Sequence, residues 1–232
     1  INRIVTDSIS DFLLTPSVEA NDNLLKEGIE LGKIHFVGNI MIDSLHRSVK
    51  NSAKSNALDD FQVQPSEFGI MTLHRPSNVD DPESLLYLVE SACLASEMAP
   101  IIFPVHPRTK KVLGEGGMAK LVQSPNLKLC EPLGYLDFVR LLSNSKFVLT
   151  DSGGIQEEST ALGVPCLTLR ENTERPITVS LGTNTIVGRN RNLMLSMVSE
   201  IIETGGKKGK IPELWDGKTA SRISDIIQFA IS

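Results

Sequence analysis

The sequence is poor in cysteine, lacks long apolar runs and carries no excess of positive charge, and each shortage removes a class of protein. Its three cysteines, Cys93, Cys130 and Cys166, are an odd set, each inside an apolar stretch without Cys-x-x-Cys or Cys-His spacing. They read as buried free thiols of a reducing compartment, not as a disulfide framework or a zinc site. No apolar run approaches the roughly 20 residues that cross a bilayer, and Ile1-Asn2-Arg3-Ile4 lacks the charged-then-apolar pattern of a signal peptide. A soluble, cytoplasmic protein with no membrane partner is therefore expected. A formal net charge of -5 argues against a nucleic-acid partner, which needs a basic field to neutralise phosphates. Small anionic ligands need only local cations, and Arg75, Arg108, Lys110, Lys111, Arg170 and Arg175 all fall beside predicted loops.

What is present is a chain of 232 residues, 41% of them hydrophobic, enough to bury a proper core. It opens on Ile1 rather than Met, already inside a helical pattern of Ile1, Ile4, Val5 and Ile9, as a piece of something longer would. Short strands are predicted at 12–14 and 34–37, with a helix from Ser17 to about Lys26 between them, and a domain boundary near residue 40. Residues 48–60 could be a helix or a connection. Beyond them the pattern becomes regular. Apolar, β-rich runs at 69–73, 101–105, 127–130, 147–150 and 166–169 alternate with amphipathic stretches at 82–97, 109–113, 136–142 and 155–162, and two late helices follow at about 193–202 and 220–230. Asp81-Pro82 is a strong helix start. A β-α-β-α series of this kind makes a parallel, Rossmann-like sheet covered by helices on both faces.

Ligands of open parallel sheets bind beyond the carboxyl ends of the strands, so the residues after each strand are the informative ones. They are His74-Arg75-Pro76-Ser77-Asn78, His106-Pro107-Arg108, Glu131-Pro132-Leu133-Gly134, Asp151-Ser152-Gly153-Gly154 and Arg170 through Arg175. In the fourth, Gly153 and Gly154 let a ligand approach the backbone, the free N–H groups of the next helix favour an anion such as a diphosphate, and Ser152 adds a donor. Glu158, one turn further, could accept hydrogen bonds from a ribose diol; a Gly-rich strand-helix turn with a surface Glu pair fits the same string equally well. His74 and His106, at equivalent points of neighbouring strands, favour function over structure. No third ligand stands at familiar spacing, so no metal is expected. Arg170 and Arg175 could clamp phosphate or pair with Glu171 and Glu174.

Taken together, Gly38-Asn39 with Asp43, Thr72-Leu73-His74-Arg75-Pro76, Pro104-Val105-His106-Pro107, Glu131-Pro132-Leu133-Gly134-Tyr135, the Thr150–Glu158 run and Glu171-Asn172-Thr173-Glu174-Arg175-Pro176 resemble the non-hydrolysing UDP-N-acetylglucosamine 2-epimerases. The resemblance covers nearly the whole chain. Asn2-Arg3 matches the end of that family's Pro-Glu-Glu-x-Asn-Arg motif, and Ser77 stands where many members carry Glu.

The resemblance implies two Rossmann-like domains of the glycosyltransferase-B type: residues 1–39 as the tail of the first, 40–216 as the UDP-binding second, and 217–232 as a helix crossing back toward the first. It implies elimination of UDP to a 2-acetamidoglucal followed by re-addition, without a cofactor, in a homodimer serving surface-polysaccharide synthesis. Ser152, Gly153 and Gly154 would hold the β-phosphate, Glu158 the ribose, and Pro132, Leu133 and Tyr135 the uracil. His74 would stabilise the leaving group, while Arg75 and His106 would border a second, activating UDP-sugar site. The family's proton-handling carboxylates would precede Ile1, so the chain alone is expected to hold the nucleotide and not to epimerise it. Alternatives are a 2-epimerase of a decorated UDP-sugar such as a diacetamido uronate, a glycosyltransferase of the same fold, and a non-catalytic nucleotide-sugar binding module.

Overall fold

The computed structural model describes residues 1–122 and 124–231, and it separates into two compact units, Ile1–Arg47 with Ile211–Ser232, and Ser48–Lys210. The smaller unit begins with α1 (Asn2–Ile9), β1 (Leu13–Thr15), α2 (Val18–Lys26), β2 (Ile34–Phe36) and α3 (Ile40–Ser52), the last running across the boundary at residue 47. Strands β1 and β2 pair in parallel, and Ser17 caps α2 by accepting from Ala20 N at 3.3 Å.

In the larger unit the elements are α4 (Ala57–Asp60), β3 (Gly69–Thr72), α5 (Pro76–Val79), α6 (Pro82–Ser96), β4 (Ile101–Pro104), α7 (Pro107–Val122, interrupted at Gly114), β5 (Leu127–Cys130), α8 (Tyr135–Asn144), β6 (Phe147–Thr150), α9 (Gly153–Leu162), β7 (Cys166–Thr168), α10 (Pro176–Ser180), β8 (Asn184–Ile186) and α11 (Arg191–Thr204). All six strands are parallel, in the order β5-β4-β3-β6-β7-β8. The chain thus works outward from β3 to one edge, then returns beside it to build the other half. The expected α/β class and parallel sheet stand.

Alternation along the strands splits the core in two. Ile70, Ile102, Val148 and Cys166 point to one face, with Phe68, Leu141 and Leu142; Met71, Phe103, Leu149 and Leu167 point to the other, with Leu85, Val89, Met194 and Val198 of α6 and α11. Because helices cover both faces, the strands need to be apolar throughout, and at about 1.5–3 kcal/mol per fully buried Leu, Ile or Phe this layer supplies most of the unit's stabilisation. Burial pushes the Cys166 thiol up to about 12, and burial with the neighbouring Glu131 charge pushes Cys130 up to about 11. Helix α6 starts as Asp81-Pro82 predicts, with Asp81 Oδ2 accepting from Ser84 N at 3.0 Å.

Four expectations need revision. The helix predicted at 109–113 begins at Pro107, and beyond the break at Gly114 a second helical stretch reaches Val122; residues 76–79 and 176–180, within predicted loops, are helical; and a strand not predicted at all, β8, completes the sheet. Helix α9 starts at Gly153 rather than Ile155, so both glycines lie inside its first turn.

The smaller unit is completed by α12 (Thr219–Ile231), whose first turn is capped by Asp43: its carboxylate accepts from Thr219 N at 3.1 Å and Ala220 N at 2.8 Å. Trp215, 2% exposed, donates from Nε1 to Pro16 O at 3.0 Å. Gly38 permits this closure. Its φ is +92°, and a Cβ there would lie 2.1 Å from Leu214 O, so a side chain is excluded twice over. Among the described residues, no helix is long and apolar enough to cross a membrane.

Candidate functional site

The carboxyl ends of β3 and β6, neighbours at the centre of the sheet, bring the sequence-predicted residues of two separate loops together. Thr72 and Thr150, the last residues of those strands, share a hydrogen bond of 2.7 Å, and Ser152 N donates to Thr150 Oγ1 at 3.0 Å. Between them lies Asp151, with no exposed surface. It accepts from His74 N at 3.2 Å, Arg75 N at 3.0 Å and Asn78 Nδ2 at 3.1 Å, and its Oδ1 is 3.0 Å from His74 Nδ1. The His74 ring itself is half exposed.

Ser152 occupies the cap position of α9 without using its side chain to cap, so the hydroxyl and the first amides of α9 remain for a ligand. Cations gather over this helix end. A Cβ on Gly153 would sit 3.8 Å from Arg175 Cγ, 3.9 Å from Glu174 Oε2 and 4.0 Å from Arg75 Nη2, while Gly154 faces only Ser152 Oγ at 3.9 Å. Arg175 Nε is 2.7 Å from Glu157 Oε1. Glu174 bridges two guanidiniums, Arg75 Nη2 at 3.2 Å and Arg170 Nη2 at 3.1 Å. The hydrogen bond from Arg170, with the charge of Arg75, holds the Glu174 carboxyl below its usual range.

The loop that carries these groups is fixed from below by a buried polar chain. Thr173 Oγ1 donates to Gln156 Oε1 at 2.5 Å and accepts from Arg175 N at 2.9 Å; Asn184 of β8 donates to Gln156 Oε1 and to Thr178 Oγ1. Gln156 and Asn184 have no exposed surface, so this network sets the loop's position in a low-dielectric interior.

Glu158 is buried, and Tyr135 Oη donates to its Oε1 at 2.7 Å. Burial first, and the adjacent Glu157 charge second, raise the Glu158 carboxyl above its usual range against the lowering effect of the Tyr135 bond; burial raises the Tyr135 hydroxyl likewise. Residues predicted to serve ribose and base are thereby in contact. Pro132 is exposed on the loop before α8, and Leu133 packs partly against the second core cluster. His106 stands on the β4 loop, where its Nδ1 accepts from Arg108 N at 3.2 Å, and Arg108 pairs with Asp80 at 2.6 Å.

Two groups escape a reading of the sequence. Asp151 sits in the predicted motif, but its buried, many-handed contact with His74, Arg75 and Asn78 is visible only in three dimensions. Arg189, after the unpredicted β8, helps to line a cavity of about 530 Å³ with Ser77, Asn78, Arg170, Glu171 and Asn172. There Arg189 Nη1 donates to Ser84 Oγ at 2.9 Å, and Arg170 Nη1 is buried without a hydrogen-bond partner among the described residues.

A family model described as UDP-N-acetylglucosamine 2-epimerase matches residues 1–228. The chain belongs to this family. It is 42% identical over 235 residues to the UDP-N-acetylglucosamine 2-epimerase of Methanocaldococcus jannaschii, with 99% of this chain and 64% of that protein covered. A member from Pseudomonas aeruginosa, a UDP-2,3-diacetamido-2,3-dideoxy-D-glucuronate 2-epimerase, is 36% identical, with 98% and 62% covered. The crystal structure of the M. jannaschii enzyme in complex with UDP-GlcNAc and UDP superposes with a TM-score of 0.86, covering 98% of this chain and 64% of that one. The chain therefore spans somewhat under two thirds of the length of these family members, 62–64%.

Proposed function

We propose that the chain carries the UDP-holding part of a cytoplasmic, homodimeric 2-epimerase that interconverts UDP-N-acetylglucosamine and UDP-N-acetylmannosamine by elimination and re-addition of UDP, for surface-polysaccharide synthesis. The observation that carries this proposal is the open N-terminus of α9, with Ser152, Gly153 and Gly154 beneath Arg75 and Arg175, followed one turn later by the buried Glu158. Ser152 and the amides of Gly153 and Gly154 receive the β-phosphate, with Arg175 beside it. Glu158, steadied by Tyr135, accepts from the ribose hydroxyls; Pro132 and Leu133 flank the uracil; His74 faces the departing diphosphate; Arg75 and His106 border a second UDP-sugar. A helix N-terminus contributes about 0.3–2 kcal/mol toward such charge, and each charge-assisted hydrogen bond about 1.5–3 kcal/mol. Retaining the diphosphate is what lets re-addition outrun hydrolysis.

Residues 1–232 alone hold the nucleotide without epimerising it, with 40–216 as the UDP-binding domain and the flanking segments belonging to a companion domain. The carboxylates around this site are engaged elsewhere: Asp151 with backbone and His74, Glu157 with Arg175, Glu158 with Tyr135, Glu174 with Arg75 and Arg170. Each of these four has a partner of its own in the structure, and the missing step is a large one, since general acid-base catalysis is typically worth about 10²–10⁴-fold. Exchange at C2 in deuterated water, followed by NMR, compares this chain with a version of the length of its family members. Deuterium incorporation by the shorter chain at a similar rate would place the base within 1–232.

A second substrate is favoured by the cavity beside Ser77. Arg170 and Arg189 offer two guanidiniums there, suited to a sugar carboxylate, and a relative 36% identical is named for a diacetamido glucuronate. Supplying both UDP-sugars to the longer version, with no acceptor present, distinguishes them; a requirement for an acceptor would indicate a glycosyltransferase instead.

A further inference from the structure

The fully buried Asp151 has a geometry that bears on His74. Its carboxylate satisfies two backbone amides and the Asn78 amide, which donates also to Leu169 O at 2.9 Å, so the group is held from three sides. His74 Nδ1 lies 3.0 Å from Oδ1 of the same carboxylate. An ionised carboxylate can only accept, so a hydrogen bond across that distance requires the hydrogen on Nδ1. That reverses the preference of a free neutral imidazole, which carries its hydrogen on Nε2, and leaves Nε2 as the ring atom open to proton exchange. The ring is 49% exposed on its side chain, whereas Asp151 has no exposure.

We propose that Asp151 is a positioning residue for His74: it fixes the ring's orientation and its Nδ1–H tautomer, and so makes Nε2 the atom that takes up a proton from solvent when a diphosphate binds. Resting on the nucleotide site described above, this gives the diphosphate a charged N–H donor at the moment of binding. The proton comes from water and returns to it on release, and no bond other than N–H is made or broken. The charged groups around the ring are Asp151 from the end of β6, Arg75 beside it in sequence, and, through Arg75, Glu174 and Arg170 of the loop after β7. Thr109 of α7, which donates to Leu73 O at 3.3 Å, is uncharged. Of these, Asp151 is the one placed 3.0 Å from a ring nitrogen.

The test is spectroscopic first. In the ligand-free chain at about pH 9, where imidazole is neutral, ¹⁵N-NMR assigned with His74→Asn should find His74 as the Nδ1–H tautomer; in Asp151→Asn the ring should shift to the Nε2–H form. Calorimetry with UDP at pH 7.5, in buffers of different ionisation enthalpy, should show proton uptake by the wild-type chain, reduced at least threefold in Asp151→Asn. A wild-type His74 in the Nε2–H form overturns the proposal, as does an unchanged tautomer in folded Asp151→Asn. Should that variant not fold, the wild-type tautomer and the loss of proton uptake in His74→Asn decide the matter. Absence of UDP binding together with an Nδ1–H ring that responds to Asp151→Asn would remove the nucleotide site and leave the positioning role standing.

Discussion

On the proposed nucleotide site Glu174 stands where a ligand's negative charge would lie, and replacing it should strengthen nucleotide binding. Its Oε2 lies 3.9 Å from the point a Cβ on Gly153 would occupy, and it engages Arg75, which stands beside the same point, and Arg170. A diphosphate on Ser152 and Gly153 would approach it to about 6 Å, where two unit charges in an effective dielectric of about 60 interact by ~0.9 kcal/mol. Two phosphate charges double that, and half exposure with ordinary salt takes much of it away, leaving about 1 kcal/mol, or roughly fivefold in affinity. Glu174→Gln keeps the shape of the loop and releases both guanidiniums. Isothermal titration with UDP at about 50 mM salt should therefore give a Kd about fivefold lower in the variant, and the difference should shrink severalfold in about 0.5 M salt. An equal or weaker affinity at low salt would mean that Glu174 helps to hold the ligand and that its seat above α9 is not in competition with phosphate.

Ser152→Ala should weaken UDP binding by about 1–2 kcal/mol, roughly five- to thirtyfold, by calorimetry; unchanged affinity removes Ser152 from the phosphate site. Glu158→Gln should be stabilising at neutral pH, because a buried carboxyl with a raised pKa favours the folded state below its unfolded pKa and loses that advantage as pH rises through the folded one. Urea midpoints should coincide for variant and wild type near pH 4 and separate at neutral pH, and the same variant should bind UDP about tenfold more weakly through loss of a charged acceptor. A longer version with epimerase activity should keep it after exhaustive treatment with EDTA, since His74 and His106 have no third ligand at zinc spacing; loss restored by one divalent ion would contradict this.

Strands β3 to β7 were legible because burial on both faces demands unbroken apolar runs, and each run ends abruptly in polar residues at the sheet's functional edge. Strand β8 was not, because Asn184-Thr185-Ile186 has no such run: Asn184 is buried through hydrogen bonds to Gln156 and Thr178, which a hydrophobic pattern cannot report. The start of α9 was misjudged for a related reason. Glycine is disfavoured inside helices, yet Gly153 and Gly154 occupy the first turn, where the amides lack intrahelical partners in any case. The Tyr135–Glu158 contact joins two helices across 23 positions, and Asp151 reaches His74 across 77, separations that no local spacing rule spans.

Cys166, buried in β7 with its thiol pushed up to about 12, is a clock for the opening of the larger unit. Alkylating reagents attack thiolate, so this sulfur is protected doubly, by the absence of contact and by the absence of charge, until β7 leaves the sheet. The rate at which it becomes labelled under native conditions then measures how often the unit opens. A ligand that binds the closed form should slow the labelling by the factor 1 + [L]/Kd, so that a single mass-spectrometric time course, repeated across UDP concentrations, reads both the unit's stability and its nucleotide affinity without any spectroscopic signal from the nucleotide itself.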